Sequence, residues 1–364
     1  MAYTITLIPG DGIGPEVTNA TVRVLEATGI KFNWEPAIAG QEAYDKCGTP
    51  LPNELLDSIN KNKIALKGPI TTPIGTGFRS ANVALRKGLD LYVCLRPCKS
   101  YPGAPSIYSN VDVIIVRENT EDIYLGIECR RQTEEAAKLL RIIEEIGGRV
   151  HPDSSFSIKA ISPDASRRIA QYAFDYARTF GRKKVTVVHK ANILKETDGL
   201  FLSITEEIAG DYSDIEFESH MVDSMCSQLV RFPQHHDVIV LPNLYGDIIS
   251  ELCAGLVGGL GLAPGANIGD DISVFEPTHG SAPKYAGQNK VNPMAMMLSG
   301  VLMLRHLGET EAADRVENSI AQVIAEGKYV TYDMKFDRND PTAVGTSQVA
   351  DAVIEKMKEL SYAK

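Results

Sequence analysis

Three short, strongly apolar runs do most to limit what this chain can fold into: Val111–Val116, Val185–Val188 and Val238–Leu241. Each is too short for a helix and rich in β-branched residues, so each reads as a strand. A strand that is apolar on both faces must be buried on both faces, as happens in a parallel sheet covered by helices. Helical patterns such as Ala165–Arg178 separate the runs. Thr4–Ile8 is a further strand by composition, followed by the turn Gly10-Asp11-Gly12-Ile13-Gly14-Pro15-Glu16. Pro15 suits a first helical position, Val17, Ala20, Val24 and Thr28 recur at helical spacing, and Gly29 stops the helix. The expectation is an α/β protein built on a buried, largely parallel sheet. Gly10, Gly12 and Gly14 do not fit the G-x-G-x-x-G dinucleotide fingerprint, because the third glycine comes too early.

In open sheets of this kind ligands gather at the carboxyl ends of the strands. Arg117, Lys190 and Asn243 each follow an apolar run there. Arg117 belongs to a stretch from Arg79 to Tyr124 that also holds Ser80, Asn82, Arg86 and Arg96. Taken alone, each arginine reads as a solvated surface charge. Converging, Arg86, Arg96 and Arg117 suit a small polycarboxylic acid, because guanidinium groups grip carboxylates through paired hydrogen bonds. The 364 residues carry a formal charge of −10, which disfavours nucleic acid and anionic membranes as main partners and requires a local cationic pocket for an anionic substrate. That length ordinarily makes two compact units.

Cys47, Cys94, Cys98, Cys129, Cys226 and Cys253 show no zinc spacing and read as reduced, mostly buried thiols of a cytoplasmic protein. Met1-Ala2-Tyr3-Thr4-Ile5 lacks the basic and apolar regions of a secretory signal. The stretch Leu252–Pro264 is too short and glycine-rich to span a bilayer. Thr133–Pro152 reads as an inserted helix with Ala136, Leu139, Leu140 and Ile143 on one stripe, serving either as a subunit-contact arm or as a packed surface helix.

Three further groups carry chemistry. Asp247 is expected to open a helix, with Glu251 four residues on and on the same face; Asp223 is a third carboxylate. Such oxygen ligands suit Mg²⁺ or Mn²⁺, although an N-cap and a solvent-facing acid are the plainer roles of Asp247 and Glu251. Tyr124 and Lys190 are candidates for proton transfer, since a lysine near a metal or out of water loses basicity. The loop His279-Gly280-Ser281-Ala282-Pro283-Lys284-Tyr285-Ala286-Gly287 has backbone able to approach a phosphate or an adenine, with Lys284 and Tyr285 beside it. His235 and His236, in a turn after Pro233, are given no role.

Together these segments resemble the β-decarboxylating dehydrogenases, the family of isocitrate, homoisocitrate and 3-isopropylmalate dehydrogenases. The likeness runs from Gly10-Asp11-Gly12-Ile13-Gly14-Pro15-Glu16 to Thr331-Tyr332-Asp333. Asn243-Leu244-Tyr245-Gly246-Asp247 and Gly258-Gly259-Leu260-Gly261-Leu262-Ala263-Pro264 are its most specific motifs. The resemblance implies a two-domain fold with a small dimerisation arm. Residues 1–91 and 258–364 would form a large discontinuous domain with the cofactor loop, 92–121 and 163–257 a small domain with substrate and metal residues, and 122–162 the arm. It also implies a homodimer with shared active sites, into which Lys190 and Asp223 enter from the partner.

The polar pair Ser80 and Asn82 is similar to that of isocitrate dehydrogenases, where it binds the third carboxylate; isopropylmalate enzymes are apolar there. Stranding a polar pair against a branched alkyl group loses hydrogen bonds. By resemblance Arg86, Arg96 and Arg117 hold the malate portion, Tyr124 and Lys190 are the acid–base residues, and Asp223, Asp247 and Glu251 are metal ligands. Glu251 departs from the usual aspartate, so it ligates through water or shifts the metal. Thr72, His279, Gly280, Lys284, Tyr285, Asn292 and Tyr332 fall on cofactor positions. Lys284 and Tyr285 match the bacterial NADP-dependent pattern, since a lysine there attracts a 2′-phosphate that an aspartate would repel. Phe336 replaces an expected arginine. Arg338 lies near enough to substitute, or the grip is weaker, which leaves NAD use open. The implied reaction is the oxidative decarboxylation of isocitrate to 2-oxoglutarate and carbon dioxide. Homoisocitrate dehydrogenase, with room for one more methylene, and a non-catalytic regulatory subunit are the alternatives.

Overall fold

The computed structural model describes residues 2–72 and 80–362. Arg79, where the arginine-rich stretch begins, lies outside the described residues. The strands are β1 (Ala2–Ile8), β2 (Lys31–Pro36), β3 (Ile64–Lys67), β4 (Val93–Lys99), β5 (Asp112–Glu118), β6 (Glu128–Cys129), β7 (Phe156–Ser157), β8 (Lys184–His189), β9 (Glu216–Met221), β10 (Val238–Leu241), β11 (Pro264–Ile268) and β12 (Ser273–Pro277). Between them run α1 (Gly14–Glu26), α2 (Gln41–Cys47), α3 (Asn53–Asn62), α4 (Ala81–Gly88), α5 (Glu134–Glu145), α6 (Pro163–Thr179), α7 (Thr197–Ala209), α8 (Val222–Arg231), α9 (Asn243–Leu256), α10 (Met294–His306), α11 (Thr310–Glu326) and α12 (Thr346–Tyr362).

Ten strands form one sheet in the order β2-β1-β3-β12-β11-β4-β5-β10-β8-β9. Pairing is parallel except around β11 and β4, where β12/β11, β11/β4 and β4/β5 run antiparallel. The largely parallel sheet expected from the apolar runs is therefore present. The two ends of the chain supply β2-β1-β3-β12-β11, and its middle supplies the other half.

Alternation along β5 explains why its run is apolar throughout. Ile114 and Val116 face a core shared with α6, whereas Val113 and Ile115 face a second core shared with α8 and α9. Residues two apart point to one face of a strand. Arg117 thus projects toward α9, in phase with Val113 and Ile115. On β4, Cys98 belongs to the α8/α9 core, which places Arg96 on the same face. Two adjacent antiparallel strands present their arginines to one helix.

The amino-terminal turn supports the loop that holds Ser281. Gly10 and Gly12 adopt φ of 81° and 61°. A Cβ on Gly12 would collide with the backbone of Ser281, and Ile13 N donates to Ser281 O at 2.9 Å. Glycine here permits close approach between two loops.

Three expectations change in detail. Asp247 does not open its helix: α9 begins at Asn243 behind Pro242, so Asp247 lies in the second turn, because proline halts the preceding strand and leaves Asn243 free to start the helix. The Thr133–Pro152 helix contracts to Glu134–Glu145, capped by Thr133, with Ala136, Leu139, Leu140 and Ile143 as its less exposed stripe. Of the thiols, Cys94, Cys98 and Cys253 are buried, Cys129 and Cys226 half-buried and Cys47 exposed. Among the described residues no helix is long and apolar enough to cross a membrane.

Candidate active site

At the carboxyl ends of β3, β5 and β12 lies a cavity of about 200 Å³ lined by Ser80, Asn82, Arg86, Arg96, Arg117, Tyr124, Asp247, His279 and Gly280, together with Lys67 and Glu276. All five substrate residues expected from the sequence meet here, with Tyr124 and one expected metal carboxylate. Lys67, Arg86, Arg96 and Arg117 set four cations against the carboxylates of Glu276 and Asp247. The excess positive charge suits a polyanion.

The arginines are held by partners on neighbouring elements. Arg117 is buried; its Nε and Nη2 donate to Asn243 Oδ1 at 3.0 and 2.7 Å, and its Nη1 pairs with Asp247. Gly246 makes room, because a Cβ there would strike the Arg117 side chain. Arg96 Nη1 donates to Ser250 Oγ at 2.6 Å and lies 3.3 Å from Asp247 Oδ1. Arg86 reaches Glu276 Oε1 at 3.1 Å, Glu276 also pairs with Lys67, and Asn267 donates to it at 2.6 Å. Burial alone would raise the Glu276 carboxyl, but Lys67 and Arg86 hold it well below the usual range. It stays ionised and fixes Arg86.

Two groups in the cavity wall have unmet hydrogen-bonding capacity. Arg86 Nε and Asn82 Oδ1 are buried and partnerless. Buried polar atoms are ordinarily paired, so both edges are available to a ligand. Ser80 Oγ caps α4 by accepting from Val83 N at 3.4 Å, and Thr72 Oγ1 lies 3.5 Å from it.

Tyr124 sits on a short turn after β5. Its hydroxyl donates to Asp247 Oδ2 at 2.6 Å, and Arg117 lies 5.0 Å from the ring centroid. Burial, then the Asp247 hydrogen bond, raises the phenol above its ordinary value, which keeps the proton on oxygen. Asp247 itself is held low: burial opposes ionisation, but Arg117 and Arg96 outweigh it. One turn along α9, burial raises the Glu251 carboxyl.

Lys190 and Asp223 do not line this cavity. They pair with each other, Nζ to Oδ1 2.6 Å, behind the ends of β8 and β9. Among the described residues no three His, Cys, Asp or Glu side chains of one chain gather as a metal site. Asp247 and Glu251 have the oxygen donors a hard divalent cation takes, and they lack a third carboxylate from their own chain.

The cofactor candidates form a second group. Tyr285 and Tyr332 have ring centroids 6.2 Å apart; Lys284 lies 4.8 Å from the Tyr285 ring, and Lys290 4.7 Å from that of Tyr332. The Tyr332 hydrogen bond, then Lys284, lowers the Tyr285 phenol. Two ammonium groups and two phenols here suit a phosphate dianion. Phe336 is fully exposed, and the charge of Arg338 acts on Tyr332. His279 bonds through Nδ1 to Gly280 O at 3.0 Å, while its Nε2 is buried and partnerless. Asn292 is committed internally, donating to Asp333 at 3.3 Å and accepting from Met294 N at 3.0 Å.

A model of the family described as isocitrate/isopropylmalate dehydrogenase matches residues 4–353. The chain belongs to this family. It is 48% identical over 332 residues to the mitochondrial isocitrate dehydrogenase (NAD) catalytic subunit 5 of Arabidopsis thaliana, covering 91% of this chain and 84% of that protein. It is 43% identical over 385 residues to the isocitrate dehydrogenase (NADP) of Archaeoglobus fulgidus, covering 98% and 93%. The crystal structure of isocitrate dehydrogenase from Methylococcus capsulatus superposes with a TM-score of 0.90 at 48% identity, over 98% of this chain and 99% of that one.

Within the family fold, Lys67, Glu276, Ser250 and Lys290 are residues around the site that sequence reading missed, whereas Asn243, read there as following an apolar run, clamps Arg117. Glu276 had a legible signal, being a charge at the end of the apolar run Val274-Phe275, as Arg117 is at the end of its own. Lys67 ends β3 in the same manner. Ser250 and Lys290 carried no such mark.

Proposed function

We propose that this protein oxidatively decarboxylates isocitrate to 2-oxoglutarate and carbon dioxide with NADP as hydride acceptor and Mg²⁺ or Mn²⁺ as metal. The observation that carries the reading is the cavity wall: three arginines beside Ser80 and Asn82, with Arg86 Nε and the Asn82 amide unsatisfied. A carboxylate of a tricarboxylate accepts from Arg86 Nε, and the third carboxylate can accept from the Asn82 amide nitrogen, whereas an isopropyl substituent offers that amide neither donor nor acceptor.

Arg86, Arg96 and Arg117 hold two carboxylates through charge-assisted hydrogen bonds, and Ser80 with Asn82 receives the third. Asp247 and Glu251, with the partner subunit's Asp223, would hold the divalent cation, which when bound polarises the substrate's oxygen. The partner subunit's Lys190 would take the proton of the hydroxyl, and a nicotinamide, when bound, would supply the hydride acceptor. Tyr124, protonated and aimed at Asp247, delivers a proton to the carbon that loses carbon dioxide.

The dimer this requires is supported by apolar side chains left in water around the same elements. Ile248, beside Asp247 on α9, is 52% exposed, and Ile193, three residues after Lys190, is 68% exposed; Met221 just before α8 and Val230 in its last turn are exposed as well. Exposed large aliphatics grouped in this way mark a contact surface. Residues 122–162 form the arm, in which β6 and β7 pair and Ile142 and Ile146 of the α5 region face outward. The domain division at 91/92 and 257/258 follows the two halves of the sheet, and the unpaired cysteines accord with a cytoplasmic setting.

NAD is a second reading for the acceptor, favoured by the NAD-dependent name of the Arabidopsis relative. Lys284, Tyr285, Lys290 and Tyr332 favour NADP. A spectrophotometric assay with isocitrate, homoisocitrate and 3-isopropylmalate, each with NADP or NAD and with or without metal, tests the whole reading. Reduction of NADP with isocitrate and metal alone is expected; absence of any reduced cofactor with isocitrate overturns it and favours the regulatory-subunit alternative.

A further inference from the structure

A second set of ionised groups is buried outside the cavity. Lys159, between β7 and α6, places Nζ 2.9 Å from Asp198 Oδ1 and 3.3 Å from Asp122 Oδ1, and 4.7 Å from the Tyr245 ring centroid. Both carboxylates are fully enclosed. Each also accepts from the backbone of an element that carries a site residue, and Asp198 Oδ1 accepts in addition from Thr197 Oγ1 at 3.4 Å. Asp122 Oδ1 accepts from Ile123 N at 2.8 Å, immediately before Tyr124, and Oδ2 accepts from Leu244 N at 2.9 Å in the first turn of α9. Asp198 Oδ2 accepts from the backbone N of Lys190 at 2.7 Å. Asp122 has φ of 68°, in the left-handed region that few residues with a side chain adopt. Two enclosed carboxylates facing one ammonium depend on it, since removing the cation leaves uncompensated buried charge.

We propose that Lys159 is a positioning residue that couples Tyr124 to Lys190. Its one ammonium sets both the turn bearing the chain's own proton donor and the loop bearing the lysine that the chain lends to its partner. The inference rests on the shared-site reading above. It makes the two active sites of a dimer communicate through the interior of each chain rather than only across the interface.

Heterodimers of a Tyr124→Phe chain with a Lys190→Met chain test it. One intact site remains, with Tyr124 from the second chain and Lys190 from the first. Lys159→Met is placed on one chain at a time. The expected result is a fall in kcat of about tenfold or more in either placement, with KM for isocitrate within about threefold and Lys159→Arg restoring most of the rate, because small misplacements of reacting groups are costly. Asp198→Asn separates the arms without removing the cation. It is expected to lower kcat on the chain that lends Lys190 and to be silent on the other, whereas Asp122→Asn behaves in the opposite way. An inactive parental heterodimer overturns the shared site and the coupling together. An active parent in which Lys159→Met leaves kcat unchanged in either placement, or only lowers the melting temperature, overturns the coupling alone. If Lys159→Met chains fail to fold, the aspartate pair decides: symmetrical or absent effects refute the proposal.

Discussion

Arg117 and Asp247 hold each other across the carboxyl edge of the sheet, the guanidinium projecting from β5 and the carboxylate from the second turn of α9. Asp247 also accepts the Tyr124 proton and lies against Arg96. The groups to which the proposed function gives substrate, metal and proton-transfer roles therefore share one set of contacts.

Arg117→Lys is expected to keep a charge but lose the fork that joins Asn243 and Asp247. Loss of a bidentate, oriented contact predicts a fall in kcat/KM of about 10² or more. Steady-state kinetics with isocitrate read this, and circular dichroism checks that the fold persists. Gly246→Ala should act in the same direction by pushing the Arg117 side chain aside.

Asn82→Leu replaces the unsatisfied amide edge with an alkyl group. Isocitrate kcat/KM should fall by roughly 10- to 100-fold, the cost of one or two lost polar contacts. Activity on 3-isopropylmalate should rise from its starting level. A ratio of the two specificity constants that does not move would count against Asn82 as the discriminator.

Lys290→Ala removes the ammonium lying against Tyr332 while leaving Lys284 in place. KM for NADP is expected to rise by about 3- to 10-fold, the share of one exposed charge–phosphate contact. KM for NAD should hardly change. Equal effects on both cofactors would mean that Lys290 supports the loop and not the phosphate.

Ile248→Glu puts a charge on the exposed apolar face of α9 beside Asp247. Light scattering is expected to show monomers, and activity should vanish although Asp247 is untouched. A fully active monomer would refute the shared site.

His236 predicts an acid-sensitive fold. It is buried against Glu218, with Lys184, His220 and His235 around it. Burial lowers its imidazole from 6.5 to about 4; Glu218 opposes the shift and the other three groups add to it. Above pH 6.5 neither folded nor unfolded chain protonates this group, so its full contribution is present. As pH falls from 6.5 toward 4 the unfolded chain binds a proton that the folded chain refuses, and stability drops by up to about 3 kcal/mol. Urea unfolding at pH 7.5 and 5.0 should show the difference, and His236→Gln should flatten it.

The strands and the residues just beyond them were legible because burial on both faces writes an unmistakable apolar run. That signal located Arg117, Lys190 and Asn243. It also contained Glu276, whose run is only two apolar residues long and so drew no attention. Asp247 was misplaced by a turn because an acidic residue after glycine looks like a cap, while Pro242 had already set the start of the helix. Asp223 and Lys190 were legible as local features, yet their pairing with each other, away from the cavity, is a tertiary fact that no local pattern encodes. Lys159 was invisible: a lysine between isoleucine and alanine resembles any surface lysine until two enclosed carboxylates close around it.

The sheet order has a consequence for how the protein is made. β3 is synthesised early, but its inner neighbour β12 begins only at Ser273. Until then the nascent chain carries an open parallel edge, and the Gly12 turn has no Ser281 to meet. Closure across so long a sequence separation is slow and leaves that edge exposed to other chains. The loop after β12 is therefore completed late, and truncation between β10 and β12 leaves Arg86, Arg96 and Arg117 in the chain but removes the loop that Ile13 meets.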